Sequence, residues 1–472
     1  MNPPSIRVRM FKKLLGDCFL ITIGKPDAPR EERVHILIDC GVLQNVPGEA
    51  KLIKDAAESI IATTEGRLDL LVITHEHWDH ISGFSHARQQ LIDTMQIDTL
   101  WLAWTERRGD KQADPLREKS EKAKKVVARA AAFAAAAKVN VTSGIEHFNG
   151  PLAADGKLTS LKIIPALIAR AETTGTVEYL EPGEVRTTPG VYGLRAHVLG
   201  PSRNPDYLTK AQPPRVGKQT YLATDLAAAL DERYAAADSL AETFDPQGPS
   251  PFAKGYAIPA VAVANVVDDE ALQWLWSRYK SPPDEWRNID HAWLGVAGSL
   301  ALKLDNDTNN TSLVLAFEIE PRGDVLLFAA DAQVGNWMSW HLQDYPATGD
   351  GPKVSAKELL GRTVLYKVGH HASHNATLDN LGLALMTHPG LIAMIPVVEA
   401  EARRTMDGRA VHRGWDMPYP ELLDRLLKFT AGRILRGDAE PGKDAMGKTI
   451  CTDAAFLDRV TPDELFVELV VR

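Results

Sequence analysis

Apolar residues enter the chain in short bursts divided by charged or glycine-containing breaks. Ile6–Phe11, Phe19–Ile23 and Val34–Asp39 each predict a short strand, the last strongly apolar before Asp39-Cys40-Gly41. From Lys51 to Thr63 the period changes, and Leu52, Ile53, Ala56, Ile60 and Ile61 recur at the spacing of one helix face. Leu68–Thr74 then predicts a buried strand that runs directly into His75. Further strands are expected at Thr99–Trp104, Leu161–Ile164, Gly193–Leu199, Ser312–Ile319, Asp324–Ala329, Thr363–Val368, Leu391–Pro396 and Leu465–Val471, with a helix at Pro420–Thr430. Strands interleaved with helices describe an α/β chain.

The text changes between Pro201 and about Asp290. Pro213-Pro214, Gln247-Gly248-Pro249-Ser250-Pro251 and Pro282-Pro283 flank an alanine-rich helix expected near Leu222–Ala237. This stretch reads as an insertion, a lid or a substrate-shaping segment. Upstream, Glu106 to Arg129 holds nine Lys/Arg against five Asp/Glu and continues into alanine-rich text, which predicts a long solvated helix.

Composition narrows the class. A 44% hydrophobic, 24% charged chain of 472 residues can bury a large core, and a net charge of −9 disfavours coating nucleic acid through bulk charge. Three scattered cysteines form neither a disulfide framework nor a thiolate zinc cluster, which fits a reducing compartment. Met1–Arg9 lacks the pattern of a signal peptide, and Ala128–Lys138 is too short to span a bilayer, so a cytoplasmic protein without membrane association is expected.

The densest chemistry is Thr74-His75-Glu76-His77-Trp78-Asp79-His80. Three imidazoles and two carboxylates in six residues behind an apolar strand would repel or compete as core side chains, and a divalent cation resolves the conflict. Imidazole nitrogen with carboxylate oxygen suits zinc and related transition metals. In an extended loop His75 and His77 project the same way and can share one ion, while Asp79 and His80 turn toward a neighbouring ion as a helix starts. Asp331 ends the apolar strand Val325–Ala330 and is placed to bridge two cations. His370 and His371 follow the strand Val364–Val368 within Gly369-His370-His371-Ala372-Ser373-His374. Asp39 is expected to support the loop by accepting hydrogen bonds.

His75-Glu76-His77-Trp78-Asp79-His80 resembles the HxHxDH signature of the metallo-β-lactamase superfamily. Leu15-Gly16-Asp17-Cys18, Ile38-Asp39-Cys40-Gly41, Val198-Leu199-Gly200-Pro201, Asn309-Asn310-Thr311-Ser312-Leu313-Val314, Ala330-Asp331-Ala332 and the His-His-Ala-Ser stretch resemble, in order, its ComEC-like branch of competence DNA-uptake hydrolases. The resemblance implies a four-layer αββα sandwich with a large inserted subdomain. Its halves would be residues 1–200 and 291–472, with 201–290 as the insertion. It further implies that His75 and His77 hold metal one, that Asp79, His80 and His370 hold metal two, and that Asp331 bridges. The superfamily's usual third histidine for metal one is replaced by Asn309-Asn310, so the first site is expected to be weak; His197 is a conceivable substitute, although a lone histidine in a strand is more often a core residue. Two divalent ions are expected, zinc foremost, with manganese or iron as alternatives.

Two cations about 3.5–4 Å apart would activate a shared water. Asp79 would orient that water, and His374 is the expected proton donor. Asn309, Ser312, His371 and Ser373 are expected to support the metals or meet substrate. The favoured substrate is a phosphodiester, in nucleic acid or nucleotide, with the basic segment 107–129 as a possible nucleic-acid contact. A small-molecule lactone, thioester or amide hydrolase is the alternative, and a non-catalytic metal-binding sensor or interaction module a third reading.

Overall fold

Most of the expected strands assemble into two mixed sheets. A computed structural model describes residues 5–44, 46–137, 160–190, 193–210, 220, 269–279, 281, 300, 303–346, 352–404 and 415–471. Among them, the first sheet runs edge to edge through Val460–Pro462, Phe466–Val471, Ile6–Phe11, Cys18–Ile23, Val34–Cys40, Leu70–Val72, Thr99–Ala103 and Thr176–Leu180. Pairing is antiparallel up to Val34–Cys40 and parallel beyond it. The second sheet runs Ile434–Arg436, Ile392–Ile395, Thr363–Lys367, Asp324–Phe328, Val314–Ile319, Arg195–Gly200 and Val185–Thr187. Its first four strands are mutually parallel and the others antiparallel.

Period-two alternation sends neighbours on one strand to opposite faces. Phe19, Ile21, Ile36, Ile38 and Val72 of the first sheet share a core with Leu315, Phe317, Leu326, Phe328 and Met394 of the second. The rings of Phe19 and Phe328 meet edge to face at 5.6 Å. Their strand neighbours Leu20, Leu37 and Leu71, and Ala316, Leu327 and Tyr366, join a second core. That core holds Ile53, Ala56 and Ile60 of the helix Glu49–Thr64 and Leu422 and Leu426 of the helix Pro420–Phe429. With both faces covered, the central strands need apolar residues at every position, which is why they read as unbroken runs.

Leu161–Ile164 is not a strand. It lies in the helix Ser160–Thr174, where Ile163, Ile164, Leu167 and Ala171 are buried at helical spacing and Leu161 is exposed. A four-residue apolar window cannot separate the two periods, and Pro165, inside the helix, hides the longer one.

The chain divides into two compact units, Met1–Arg117, Glu146–Ala228 and Asp305–Arg472 forming one, Glu118–Ile145 and Ala229–Leu304 the other. Both sheets belong to the first. In the second, Glu270–Tyr279 is a helix with an exposed Trp274. The alanine-rich text after the basic segment is helical, within Ala113–Ala137. The expected helix near 222–237 and most of the 201–290 segment lie outside the described residues. No helix among the described residues is long and apolar enough to cross a membrane.

Candidate metal centre

The polar cluster forms where parallel strands end. Asp39 closes Val34–Cys40, and Thr74 and His75 follow Leu70–Val72. Asp331 follows Asp324–Phe328, His370 and His371 follow Thr363–Lys367, and Pro396 follows Ile392–Ile395. In α/β proteins ligands gather outside the carboxyl ends of strands. Each strand must turn sharply there. Asp39 (φ 55°), Ala330 (φ 48°), His370 (φ 40°), His371 (φ 50°) and Ala372 (φ 64°) all adopt left-handed backbone. For non-glycine residues this costs on the order of 1–3 kcal/mol each and persists only where surroundings enforce it.

The segment carrying Asp79 is clamped by backbone. After His77, Trp78–Ile81 forms a single helical turn. The Asp17 amide donates to the Asp79 carbonyl at 2.9 Å, and the Gly41 amide to the Asp17 carbonyl at 2.9 Å. A Cβ on Gly41 would stand 2.1 Å from the carbonyl carbon and oxygen of Asp79, so only glycine admits this approach.

Hydrogen bonds then assign the imidazole tautomers. Asp39 accepts from the Thr74 amide (2.8 Å), the Thr74 hydroxyl (2.6 Å) and His80 Nδ1 (2.7 Å). With its proton on Asp39, Thr74 Oγ1 accepts from His75 Nδ1 at 3.1 Å. His371 Nδ1 donates to the Pro396 carbonyl at 2.7 Å. All three imidazoles therefore keep Nε2 for the interior of the cluster. His75 Nε2 lies 3.0 Å from His77 Nδ1, His80 Nε2 lies 3.1 Å from Asp331 Oδ2, and His371 Nε2 lies 3.0 Å from Asp79 Oδ2.

Charge is concentrated to match. His75, His77, Asp79, His80, Asp331 and His371 are all at most 2% exposed. Burial alone would depress the His80 imidazole, but Asp331, Asp17, Asp39 and Asp79 outweigh it and hold it well above its usual range. Burial and the neighbouring His80 and His77 push His75 well below its own. The buried Lys367 ammonium contacts the Asp17 carboxylate, donates to the Ala330 carbonyl at 2.8 Å and lies 3.4 Å from Asp331 Oδ1. Reading the sequence missed Lys367, Asp17 and Asp305 as site residues. A lysine inside the apolar run Val364–Val368 was the available signal for the first.

The other expected residues distribute unevenly. His370 donates its backbone amide to Asp331 Oδ1 at 2.9 Å, and its Nδ1 meets Ser373 Oγ at 3.0 Å. Ser312 Oγ reaches His75 Nδ1 at 3.4 Å. Asn309 is buried, with Nδ2 3.4 Å from Asp305 Oδ2. Asn310 is committed elsewhere: its Nδ2 donates to the Lys210 carbonyl, and its Oδ1 accepts from the Asn336 amide. His197 pairs through Nε2 with Glu318 of the adjacent strand at 2.8 Å, while its Nδ1 is buried with no hydrogen-bond partner among the described residues. His374, the expected proton donor, stands 5.9 Å from the Tyr419 ring, and burial pulls its imidazole down to about 4, which favours the neutral ring at neutral pH. In the basic segment Arg107 bonds Glu181 at 2.9 Å and Arg117 pairs with Asp114.

These donors fit a divalent cation. His75, His80 and Asp331 form one group whose ligand atoms lie within 4.8 Å of one another, and Asp79, Asp331 and His371 form a second, with Asp331 common to both. Asp79 Oδ1 and Asp305 Oδ1 are buried with no hydrogen-bond partner among the described residues. Five carboxylates (Asp17, Asp39, Asp79, Asp305 and Asp331) gather in this cluster with a single ammonium, an excess of anionic groups that divalent ions would offset.

Residues 16–119 match the family model of the metallo-beta-lactamase superfamily. That window holds Asp17, Asp39 and the Thr74–His80 segment and ends before Asp305, Asp331, Lys367 and His371. No curated protein matches the chain significantly.

Proposed function

We propose that this chain is a metal-dependent hydrolase acting on a phosphodiester, in nucleic acid or a nucleotide. The proposal extends to a four-layer αββα arrangement of residues 1–200 and 291–472, with 201–290 as the insertion, and to two zinc ions, with manganese or iron as alternatives. The observation that carries it is the shared orientation of His75, His80 and His371. Each has Nδ1 tied to an oxygen and Nε2 turned toward a nitrogen or carboxylate at 3.0–3.1 Å. In the ion-free protein a proton on Nε2 of His80, held there by Asp331 and the other carboxylates, takes the place a cation would fill, and metal binding would release it. The superfamily match over residues 16–119 supports the same reading.

Divalent cations, when bound, polarise a substrate oxygen and acidify water at neutral pH. The protein's own part is positional. His75, His77, His80, Asp79 and Asp331 would hold the ions. The ComEC-like resemblance adds His370, whereas the 3.0 Å approach of Nε2 to Asp79 favours its neighbour His371. Asp79 Oδ2 is fixed by His371, leaving Oδ1 to accept a hydrogen bond from the attacking water. Asp39 locks His80 and, through Thr74, His75.

The phosphodiester preference rests on the ComEC-like motifs. A second reading, hydrolysis of a small lactone, thioester or amide, is favoured by the ion pairs that occupy Arg107 and Arg117. Zinc- or manganese-loaded protein offered bis(p-nitrophenyl)phosphate, single-stranded DNA and RNA is expected to cleave at least one of them. Turnover of a lactone or thioester alone would transfer the assignment to the second reading. Metal analysis of His77→Ala, Asp331→Ala, His370→Asn and His371→Asn tests the ligand set. Wild-type metal content in both His77→Ala and Asp331→Ala would overturn the metal centre itself.

A further inference from the structure

The sequence lacks the third histidine expected for the first ion, which leaves His75 and His77 short of a partner. The structure puts a carboxylate behind one of them. Asp305 lies on the helix at 303–310, four residues before Asn309 and so on the same face. Its Oδ1 lies 3.5 Å from His77 Nε2, on the far side of the ring from Nδ1, which meets His75 Nε2 at 3.0 Å. The arrangement is therefore carboxylate, imidazole, shared nitrogen pair. Asn309 Nδ2, 3.4 Å from Asp305 Oδ2, steadies the carboxylate from the next turn.

We propose that Asp305 is the positioning residue of His77: from 3.5 Å its carboxylate favours the proton on Nε2 without a formed hydrogen bond in the ion-free protein, leaves Nδ1 to face inward, and strengthens His77 as a ligand where the usual third imidazole is missing. The proposal rests on the metal-centre reading above. A carboxylate on the outer nitrogen of a ligating histidine fixes the tautomer and raises ligand basicity. Asp305 also has a reason to need such a partner. Among the described residues no lysine or arginine is paired with its carboxylate, and the His77 ring is the imidazole beside it. The neighbouring Asn310 cannot take this role, because its amide bonds Lys210 and Asn336.

The test is metal binding rather than turnover, with the full chain titrated with Co(II) and with zinc. In Asp305→Ala one of the two equivalents should bind about 10–100-fold more weakly and the other unchanged, with the visible Co(II) band kept in shape at saturation. Asp305→Asn, which retains an oxygen acceptor at this position, should recover most of the affinity. Wild-type affinity for both equivalents in Asp305→Ala would overturn the proposal. A Co(II) band altered at saturation would overturn it too, since the carboxylate would then be a direct ligand. Circular dichroism of the metal-free variants separates loss of fold from loss of affinity. If His77→Ala also binds both equivalents normally, the metal centre itself has failed. If only Asp305→Ala does so, the centre stands and the positioning role does not.

Discussion

Lys367 offers the sharpest perturbation of the cluster. Its ammonium is 1% exposed, contacts the Asp17 carboxylate, lies 3.4 Å from Asp331 Oδ1 and donates to the Ala330 carbonyl at 2.8 Å. Lys367→Met keeps most of the side-chain volume, so a cavity contributes little. What changes is charge, because Asp17, 3% exposed, loses its cation. Removing one partner of a buried ion pair costs about 3–5 kcal/mol, since the other charge stays buried without compensation. Replacing Asp17 by Asn in the same chain removes that orphan charge. The double variant should therefore regain most of the loss and remain about 1 kcal/mol below the wild type for the missing bond to Ala330. Urea unfolding of the metal-free protein in chelator at pH 7, run on both single variants and the double, yields the coupling energy directly. We expect about 2–4 kcal/mol between Asp17 and Lys367. A Lys367→Met protein within about 1 kcal/mol of wild type, or a double variant less stable than Lys367→Met, would refute the claim that this lysine balances the carboxylates.

Three further outcomes follow from other contacts. Asp39→Asn removes the anion that accepts from His80 Nδ1 and from Thr74, and should weaken metal binding about 10–100-fold in a competition titration, with the fold retained. Gly41→Ala places a Cβ 2.1 Å from the Asp79 backbone and must shift the segment carrying Asp79 by more than about 1 Å; under the proposed function, hydrolysis of the responsive substrate should fall on the order of 10²-fold, whereas Gly361→Ala, with its nearest neighbours 3.8 Å away, should leave it unchanged. Burial, then Arg30 and Arg33, lowers His35 from 6.5 to about 3. The unfolded chain then binds the extra proton, so this stability is present above pH 6.5 and is lost as pH falls toward 3, at about 1.4 kcal/mol per pH unit. Unfolding free energies of wild type and His35→Gln between pH 4 and 7 should differ in slope by that amount, and equal slopes would count against it.

The frame of the protein was legible because its strands are buried on both faces. Val34–Cys40, Val314–Ile319 and Thr363–Lys367 carry their apolar runs openly, and the polar cluster at each strand end breaks the run abruptly. The helix Ser160–Thr174 reads as a strand over Leu161–Ile164 because its apolar stripe shows only across three turns, beyond the window that Pro165 interrupts. Within the site, His75, His77, Asp79 and His80 stood out by density along the chain. Lys367 and Asp305 did not, since each acquires meaning only from a group far away in sequence. Asp305 lies 228 positions from His77 (305 less 77) and Lys367 lies 350 from Asp17 (367 less 17). Periodicity has no access to such pairings. The choice between His370 and His371 also hinges on a left-handed turn that no residue type at 370–372 announces.

The contact between Asp79 and His371 spans 292 positions of chain. An ion held by both would act as a cross-link closing nearly two thirds of the polypeptide into one loop. Closing a loop of that size in an unfolded chain is entropically costly, though the cost grows only logarithmically with length. The ion would therefore bind the native chain far better than the denatured one, and its binding would add to folding stability with the logarithm of its free concentration. Early in folding, neither half of the chain could retain it alone. Metal capture would then be a late event, completed only when two segments at opposite ends of the sequence have met.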